Sequence, residues 1–385
     1  MITIKTVGTG PPSRSLSAVP FVMAIIFLML SLSGTAARAD FPVSTLTGEE
    51  KWPVVAVNTQ TGDFLVAYVR EETAGYETVF SLVVKRFNSA GVQQGGLIRP
   101  FGDPGSHMAI SRPAIAYSPN ANIFLVTVVE RLDTRDRVLA RFLGSDGTPL
   151  PTPEYLFATD YYRYYDRDES GTLKVTHNSL RDEFLVTIQR TSIYEGTQGV
   201  WGQRISTSGV LSSPVLMGDF GVSGVSSQVV AYAPVLGTTP SGGRYLFFPT
   251  GNDDPYLLDS DLNRIVVFYK PDGTPFGYTI PLQWGEPDGN YYLHDVAYGV
   301  VEGKRRFLVV YSDKDNRYAG DPDWGGIWGT YVDPENVHYD EDFKNTPFPL
   351  VKIDSHTDDI LHENRARVAY NQQAEAFFCG MAREK

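Results

Sequence analysis

A short phrase returns six times along the chain and limits what it can fold into more than any single residue does. It is an apolar strand of the Val-Ala-Tyr-Asn kind, a polar turn, then an aromatic followed by aliphatics. Val54-Val55-Ala56-Val57-Asn58 is followed by Phe64-Leu65-Val66, and Ala114-Ile115-Ala116-Tyr117 by Phe124-Leu125-Val126. Val175-Thr176-His177-Asn178 precedes Phe184-Leu185-Val186, and Val229-Val230-Ala231-Tyr232 precedes Tyr245-Leu246-Phe247. The last two are Val296-Ala297-Tyr298 with Phe307-Leu308-Val309-Val310, and Val368-Ala369-Tyr370-Asn371 with Phe377-Phe378. Aligned on the central Ala or Thr, the steps are 60, 60, 55, 66 and 72 residues. Self-similarity at such a period, built from short strands, is the mark of a radial array.

Each unit carries four strand signals. After the paired phrase comes a third strand, such as residues 79–87, then a turn, then a shorter fourth strand near Leu97-Ile98-Arg99. The turns Asn88-Ser89-Ala90-Gly91, Ser145-Asp146-Gly147, Ser206-Thr207-Ser208-Gly209 and Pro271-Asp272-Gly273 are hairpin chemistry, because Gly accepts the positive φ they demand. Four antiparallel strands per unit predict an all-β fold, a β-propeller of six blades, with five or seven blades as alternatives. The rivals are a β-solenoid, whose turns are shorter than this period, and an immunoglobulin-like array, which would show separate cores and linkers. The last unit stops after its second strand, at Arg383-Glu384-Lys385. The orphan segment 41–47 is expected to pair there as an outer strand, so that an N-terminal strand closes the ring and removes an open edge. With strands lettered A to D from the axis outward, the D-to-A and B-to-C connections emerge on one face.

The N-terminus reads as a targeting segment. Lys5 and Arg14 precede an apolar run over residues 18–32, and Ala37-Arg38-Ala39 supplies the small-x-small pattern of a signal-peptidase site. About fifteen apolar residues fall short of the roughly 20 that a membrane span takes; a signal anchor is the alternative. The expected organisation is a signal peptide over residues 1–39 and a single β-propeller domain over residues 40–385, secreted or periplasmic. Cleavage removes three basic residues and no acidic one, which takes the formal charge from −12 to −15. Such a surface disfavours nucleic acid and anionic lipid, since each phosphate contact needs a cation. No membrane contact is expected after cleavage, and a monomer is. The single cysteine, Cys379, excludes an intramolecular disulfide, so stability must come from the core.

The Val-Ala-Tyr-Asn and Phe-Leu-Val phrases, with Gly202-Gln203-Arg204 on a third strand, resemble the repeats of secreted bacterial β-propeller proteins of mostly unassigned function. The resemblance covers nearly all of residues 40–385 and implies the fold; it carries over no catalytic residue. A sialidase-type Asp-box is absent, since Ser145-Asp146-Gly147-Thr148 lacks the spacing and the closing Trp. Neither a WD dipeptide nor a kelch double glycine recurs with the repeat.

The loop face gathers the unusual residues. Asp166-x-Asp168-x-Ser170-Gly171 puts oxygen ligands on one side of a tight turn, as the first half of a calcium loop does. Its twelfth position is His177 rather than a bidentate Glu, which excludes a complete EF-hand. The readings left are a partial calcium site on Asp166, Asp168 and Ser170, or a solvated acidic loop; calcium is the one cofactor suggested. Trp52, Tyr162, Tyr165, Tyr292 and Trp324 offer faces on which sugars stack. Arg112, Asp295 and Asp313 are polar ligand contacts beside them. Trp201 and Trp328, near strand C, are expected to brace neighbouring blades.

His294 and His362, with Tyr164 and Arg317, have the chemistry of β-elimination from uronic sugars, in which Arg neutralises the carboxylate and His or Tyr exchanges protons. A metal triad of His294, His356 and His362 is the other reading of these histidines. Glycoside hydrolysis needs two carboxyl groups flanking the bond. The A-strand phrases offer none, which leaves connection residues such as Asp168, Asp295, Asp313 and Glu363. A Gly-x-Ser-x-Gly elbow is missing, and Cys379 in its apolar strand reads as structural. The sequence thus points to binding of a polysaccharide or other cell-surface polymer on the loop face. A polysaccharide-degrading enzyme on that face, lyase or hydrolase, and a protein-interaction scaffold are the alternatives.

Overall fold

The computed structural model describes residues 2–6, 50–74, 77–103, 111–131, 136–151, 155–157, 162–163, 173–192, 198–219, 227–233, 244–250, 265–269, 275–281, 291–313, 326–332, 350–354, 366–371 and 375–382. Among these residues every regular element is a strand and every strand pairing is antiparallel. A short β1 (Ile2–Thr6) comes first in the chain. The first sheet then runs β2 (Glu50–Val57), β3 (Phe64–Ala74), β4 (Glu77–Phe87) and β5 (Gln93–Ile98). The second is β6 (Ala114–Ser118), β7 (Ile123–Arg131), β8 (Asp136–Gly144) and β9 (Tyr155–Leu156). In the third, a two-residue β10 (Tyr162–Arg163) joins β11 (Leu173–Asn178), β12 (Glu183–Ser192), β13 (Gln198–Ser206) and β14 (Val215–Asp219).

The fourth sheet is β15 (Ser227–Ala233), β16 (Arg244–Thr250), β17 (Ile265–Tyr269) and β18 (Pro275–Pro281). The fifth is β19 (Tyr291–Val301), β20 (Lys304–Asp313), β21 (Gly326–Val332) and β22 (Leu350–Asp354). The sixth holds β23 (Ala366–Asn371) and β24 (Ala376–Ala382), with β1 on the outer edge of β24. The segment 41–47, expected at that edge, lies outside the described residues; the position beside β24 is taken by Ile2–Thr6, from within the stretch expected to be a signal peptide.

The repeat phase read from the sequence is the pairing register. Phe64, Phe124, Phe184, Tyr245, Phe307 and Phe377 lie opposite Val57, Tyr117, His177, Tyr232, Tyr298 and Tyr370. Ring pairs recur at this step, with centroids 4.8, 5.0, 5.4 and 5.1 Å apart in the second, third, fifth and sixth sheets. Directly opposed residues on one face of an antiparallel pair sit close enough for such contacts. Phe124, Phe184 and Phe307 are buried as the repeat requires, but Phe64 is only half-buried, stacked on Phe87 within its own sheet.

First strands of successive sheets are neighbours: β2 lies by β6, β6 by β11, β11 by β15, β15 by β19 and β19 by β23. The second to fifth sheets therefore each have a neighbour on both sides; in the first, Leu65 to Val69 is an unbroken apolar run rather than an alternating one, every residue buried. Leu65, Ala67 and Val69 meet Tyr117, Phe124 and Leu139 of the second sheet. Leu125, Val129 and Phe142 of the second meet Phe184, Val186 and Ile205 of the third, with Trp201 packed alongside as a brace. Val310 of the fifth meets Val368 and Phe377 of the sixth. There a glycine is obligatory: a Cβ on Gly299 would lie 2.2 Å from the Tyr370 ring, whose hydroxyl donates to the Val300 carbonyl.

Polar bonds repeat across the seams at the A-to-B turns. Asn58 in the first sheet donates to Asn122 Oδ1 in the second (3.2 Å), and Ser118 donates to Asp182 Oδ1 in the third (2.8 Å), each 64 residues on. Gln60 donates to the Pro119 carbonyl and Asn120 to that of Ser179, each 59 residues on. Asn122 and Asp182 hold φ of 55° and 50°, a left-handed turn position that Asn and Asp tolerate. Gln203, from the Gly-Gln-Arg phrase, is buried and accepts the Phe157 amide of the second sheet (2.6 Å) while donating to the Ser212 carbonyl (2.8 Å).

Candidate functional site

Of the residues singled out by sequence, Tyr164, Tyr165, Asp166, Asp168, Ser170, Arg317, Trp324, His356 and His362 lie outside the described residues. Trp52, Arg112, Tyr162, Tyr292, His294, Asp295 and Asp313 lie inside them. Tyr162 falls in β10, which pairs with the end of β12 opposite Ser192. Arg112 is half-buried just before β6, and its carbonyl accepts the Ser111 hydroxyl. Tyr292, His294 and Asp295 were expected in a D-to-A connection, but β19 begins at Tyr291 and takes all three into the first strand of the fifth sheet. The added length is paired: Tyr291 opposes Asp313 and Tyr292 opposes Ser312, with an irregularity between Leu293 and Asp295 that leaves His294 at the step. Among the described residues no group of three or more His, Cys, Asp or Glu side chains is placed to hold a metal ion.

The extension corrects the expectation that no first strand carries an acid. Asp295 sits two residues before the central Ala297, where the other first strands hold Val54, Ala114, Lys174, Val229 and Arg367. Its carboxylate accepts the backbone N–H of Val368 in the sixth sheet (3.1 Å). Burial pushes the Asp295 carboxyl up from its ordinary value, against the opposing pull of the Lys174 charge and of the Val368 and Val296 amides. The field of Lys174 reaches it from the third sheet, so this one carboxyl senses first strands of three sheets. A carboxyl raised in this way holds its proton to higher pH than a surface acid, which is the property of a general acid.

The second cluster lies where β2 begins, between the first and second sheets. The pairing of β2 with β3 slips between Lys51 and Val54, and within that bulge Trp52 is held at φ 56°. A bulky aromatic at this φ is a strained outlier, costing on the order of 1–3 kcal/mol. Trp52 is half-buried, one side packed on the core shared by the two sheets. Lys51 Nζ stands 5.9 Å from the Trp52 ring and 4.9 Å from that of Phe80, also half-buried. On the same seam the Arg141 guanidinium lies 5.8 Å over Phe101. Arg99 grips Glu72 with two bonds of 2.5 and 2.7 Å. Burial raises the Glu72 carboxyl, but the Arg99 and Ser81 bonds and the Arg99 and Arg70 charges outweigh it and hold it below its usual range. Glu130, almost wholly buried at its side chain, pairs with Arg137.

No protein-family model matches the chain, and no curated protein does. Among solved structures, the catalytic domain of the Coprinopsis cinerea GH62 α-L-arabinofuranosidase is similar at 13% identity and TM-score 0.37, over 74% of this chain and 89% of that one. An exo-β-1,3-galactanase from Clostridium thermocellum is similar at 9% identity and TM-score 0.39, over 72% of this chain and 58% of that one. An N-acetylgalactosamine deacetylase from F. plautii, in complex with blood group B trisaccharide, is similar at 10% identity and TM-score 0.36, over 55% of this chain and 64% of that one. This chain thus spans less than two thirds of the deacetylase and of the galactanase.

Lys51, Phe80, Lys174, Phe101 and Arg141 were not singled out by sequence. For Lys174 a signal existed: in the repeat alignment it replaces an aliphatic at the position of Asp295. For the others none did: Lys51 meets Phe80 across β3 within the first sheet, and Arg141 meets Phe101 across the seam to the second. His177 falls in the first-strand phrase of the third repeat, as the sequence places it. Its Nε2 stands 3.1 Å from Asp182 Oδ1, which Ser118 of the second sheet also reaches, and its ring lies against Phe184, so it sits at the seam between the second and third sheets.

Proposed function

We propose that the chain is a secreted or periplasmic β-propeller of six blades that binds a glycan or other surface polymer on the face where the D-to-A and B-to-C connections emerge. The observation that carries this reading is Trp52. Strain at a bulky residue persists where the surrounding structure enforces it, and such outliers concentrate at binding sites. A half-exposed indole on this face presents a large apolar area with a polar edge, which suits the amphipathic face of a pyranose ring. Six sheets in chain order, with first strands side by side, support the ring; our proposal for the processed protein is that the segment 41–47 takes the edge of β24 that β1 holds in the full chain.

The test is a panel of soluble polysaccharides read for retention on the immobilised protein and for near-ultraviolet absorbance. The expected result is retention of at least one polymer, lost in Trp52→Gly. Glycine relieves the left-handed strain while removing the indole, so a folded Trp52→Gly protein that still retains the polymer would refute the assignment. Asp295 supports a second reading, a hydrolase on the same face, because its raised carboxyl has the property required of a general acid. That reading requires shortened saccharides on incubation and their absence with Asp295→Asn; a lyase would instead generate unsaturated ends that absorb.

A further inference from the structure

The six-bladed reading puts the first and sixth sheets side by side, and the inference rests on that reading. We propose that this junction is a built-in opening: the ring parts there while the other five junctions stay shut, so that the axis is reached from the side. In the second, third, fifth and sixth sheets the residues flanking the central Ala or Thr are buried or half-buried. Ile115 and Tyr117 pack on the first sheet, and Val368 and Tyr370 on the fifth. By the same strand alternation their counterparts Val55 and Val57 face the place of the sixth sheet, yet they are 54% and 40% exposed. Farther out that face is covered, since Val66, Tyr68, Val83 and Phe87 are buried, so the gap lies at the inner edge, beside the axis. There β2 and β23 make no approach comparable with that of the other five pairs of first strands.

The cause is in the sequence. Directly after the central residue the other repeats carry Tyr117, His177, Tyr232, Tyr298 and Tyr370; the first carries Val57. Two residues before the second-strand aromatic, the second, third and sixth repeats carry Asn122, Asp182 and Glu375, all at positive φ; the first carries Gly62. In the second sheet the Tyr117 hydroxyl donates to Asn122 Oδ1 (2.7 Å), and the same oxygen accepts Asn58 of the first sheet. The first repeat holds neither that ring nor that acceptor. Phe64, opposite Val57, is accordingly half-buried where Phe124, Phe184, Phe307 and Phe377 are buried. A junction short of both apolar burial and a polar clasp is the one that parts at least cost.

Amide hydrogen exchange of the purified full chain, read peptide by peptide, tests this. The amides of β2 and β23 should exchange about tenfold faster than those of β6 and β11. Val57→Tyr gives the first repeat the ring that four of the others carry; it should slow exchange in β2 and β23 together, leave β6 and β11 as they were, and not lower Tm. Val57→Ser should leave Tm unchanged, whereas Tyr117→Ser, at the equivalent filled position, should lower it. Protection of β2 equal to that of β6, or exchange that Val57→Tyr does not slow, overturns the opening while the ring stands. A lower Tm in Val57→Tyr does the same, since a ring that finds no room is not filling a gap. Exchange of β3 and β4 as fast as that of β2 would mean that the first sheet has no neighbour on this face, and overturns the six-bladed ring itself.

Discussion

Asp295 is an acid in a place that resists its ionisation. Its folded pKa is raised, so the folded state binds the proton more tightly than the unfolded chain does, and stability falls as pH rises from the unfolded value of 3.8 through the folded one. Asp295→Asn keeps an acceptor for the Val368 amide and removes the charge; it should raise the denaturant midpoint, and by more at pH 7 than at pH 4. His177 behaves oppositely. Burial lowers its folded pKa below the ordinary 6.5, with the Asp182 hydrogen bond and charge opposing. The unfolded chain therefore takes up the proton first, and its contribution is intact above 6.5 and lost as pH falls below it. For Asp182 burial raises the pKa, but bonds from Thr207, Ser118 and His177 prevail and lower it; its contribution is intact above 3.8 and lost as pH falls through the folded value. Acid unfolding should thus begin below pH 6.5, and His177→Phe, which keeps a ring against Phe184, should remove that first phase while the one below pH 3.8 remains. Ser118→Ala removes one donor from Asp182, whose partly exposed carboxylate keeps the Thr207 and His177 bonds, and should cost about 0.5–1.5 kcal/mol in equilibrium unfolding.

Elements were legible because pattern and burial agree. The repeated aromatic near the start of each second strand, and the residue at the end of the first-strand phrase, could be aligned by eye and are cross-strand partners in all six sheets. Truncating Phe124, Phe184 or Phe307 to Ala should cost about 3–5 kcal/mol each, read from denaturant midpoints, whereas half-buried Phe64 should cost about 1–2 kcal/mol. Gly299→Ala should destabilise by about 1–3 kcal/mol, because Tyr370 must leave its place against the fifth sheet. The start of β19 was not legible: Tyr-Tyr-Leu-His reads as polar connection, and only its pairing with β20 draws it into the sheet. The same limit hid the meeting of Lys51 with Trp52 and Phe80. A cation over two rings is a product of bulge geometry and of a strand pairing, neither of which the alternation of apolar and polar residues encodes.

At the scale of the whole molecule, the open question of chemistry becomes one of edges and ends. Deleting residues 40–48 from a chain that starts at Asp40 should lower Tm by a few degrees and promote aggregation, since β24 then has no outer partner. The same deletion in a chain that keeps residues 1–39 should cost less, because β1 holds that edge. An unchanged melting curve in the first case would show that the edge is protected by another device. The recurrence of seam bonds at 64 and 59 residues has a further consequence, for the order of assembly. Successive junctions close loops of nearly equal length, so a chain emerging from its N-terminal side can dock one sheet at a time, each step entropically like the one before. The pairing of β1 with β24 joins Thr6 to Phe378, yet because closure entropy grows only logarithmically it costs about 1.5 kcal/mol more than an ordinary junction. Distance along the chain is thus a weak obstacle to uniting the two ends; the slow step is waiting for the last sheet to exist.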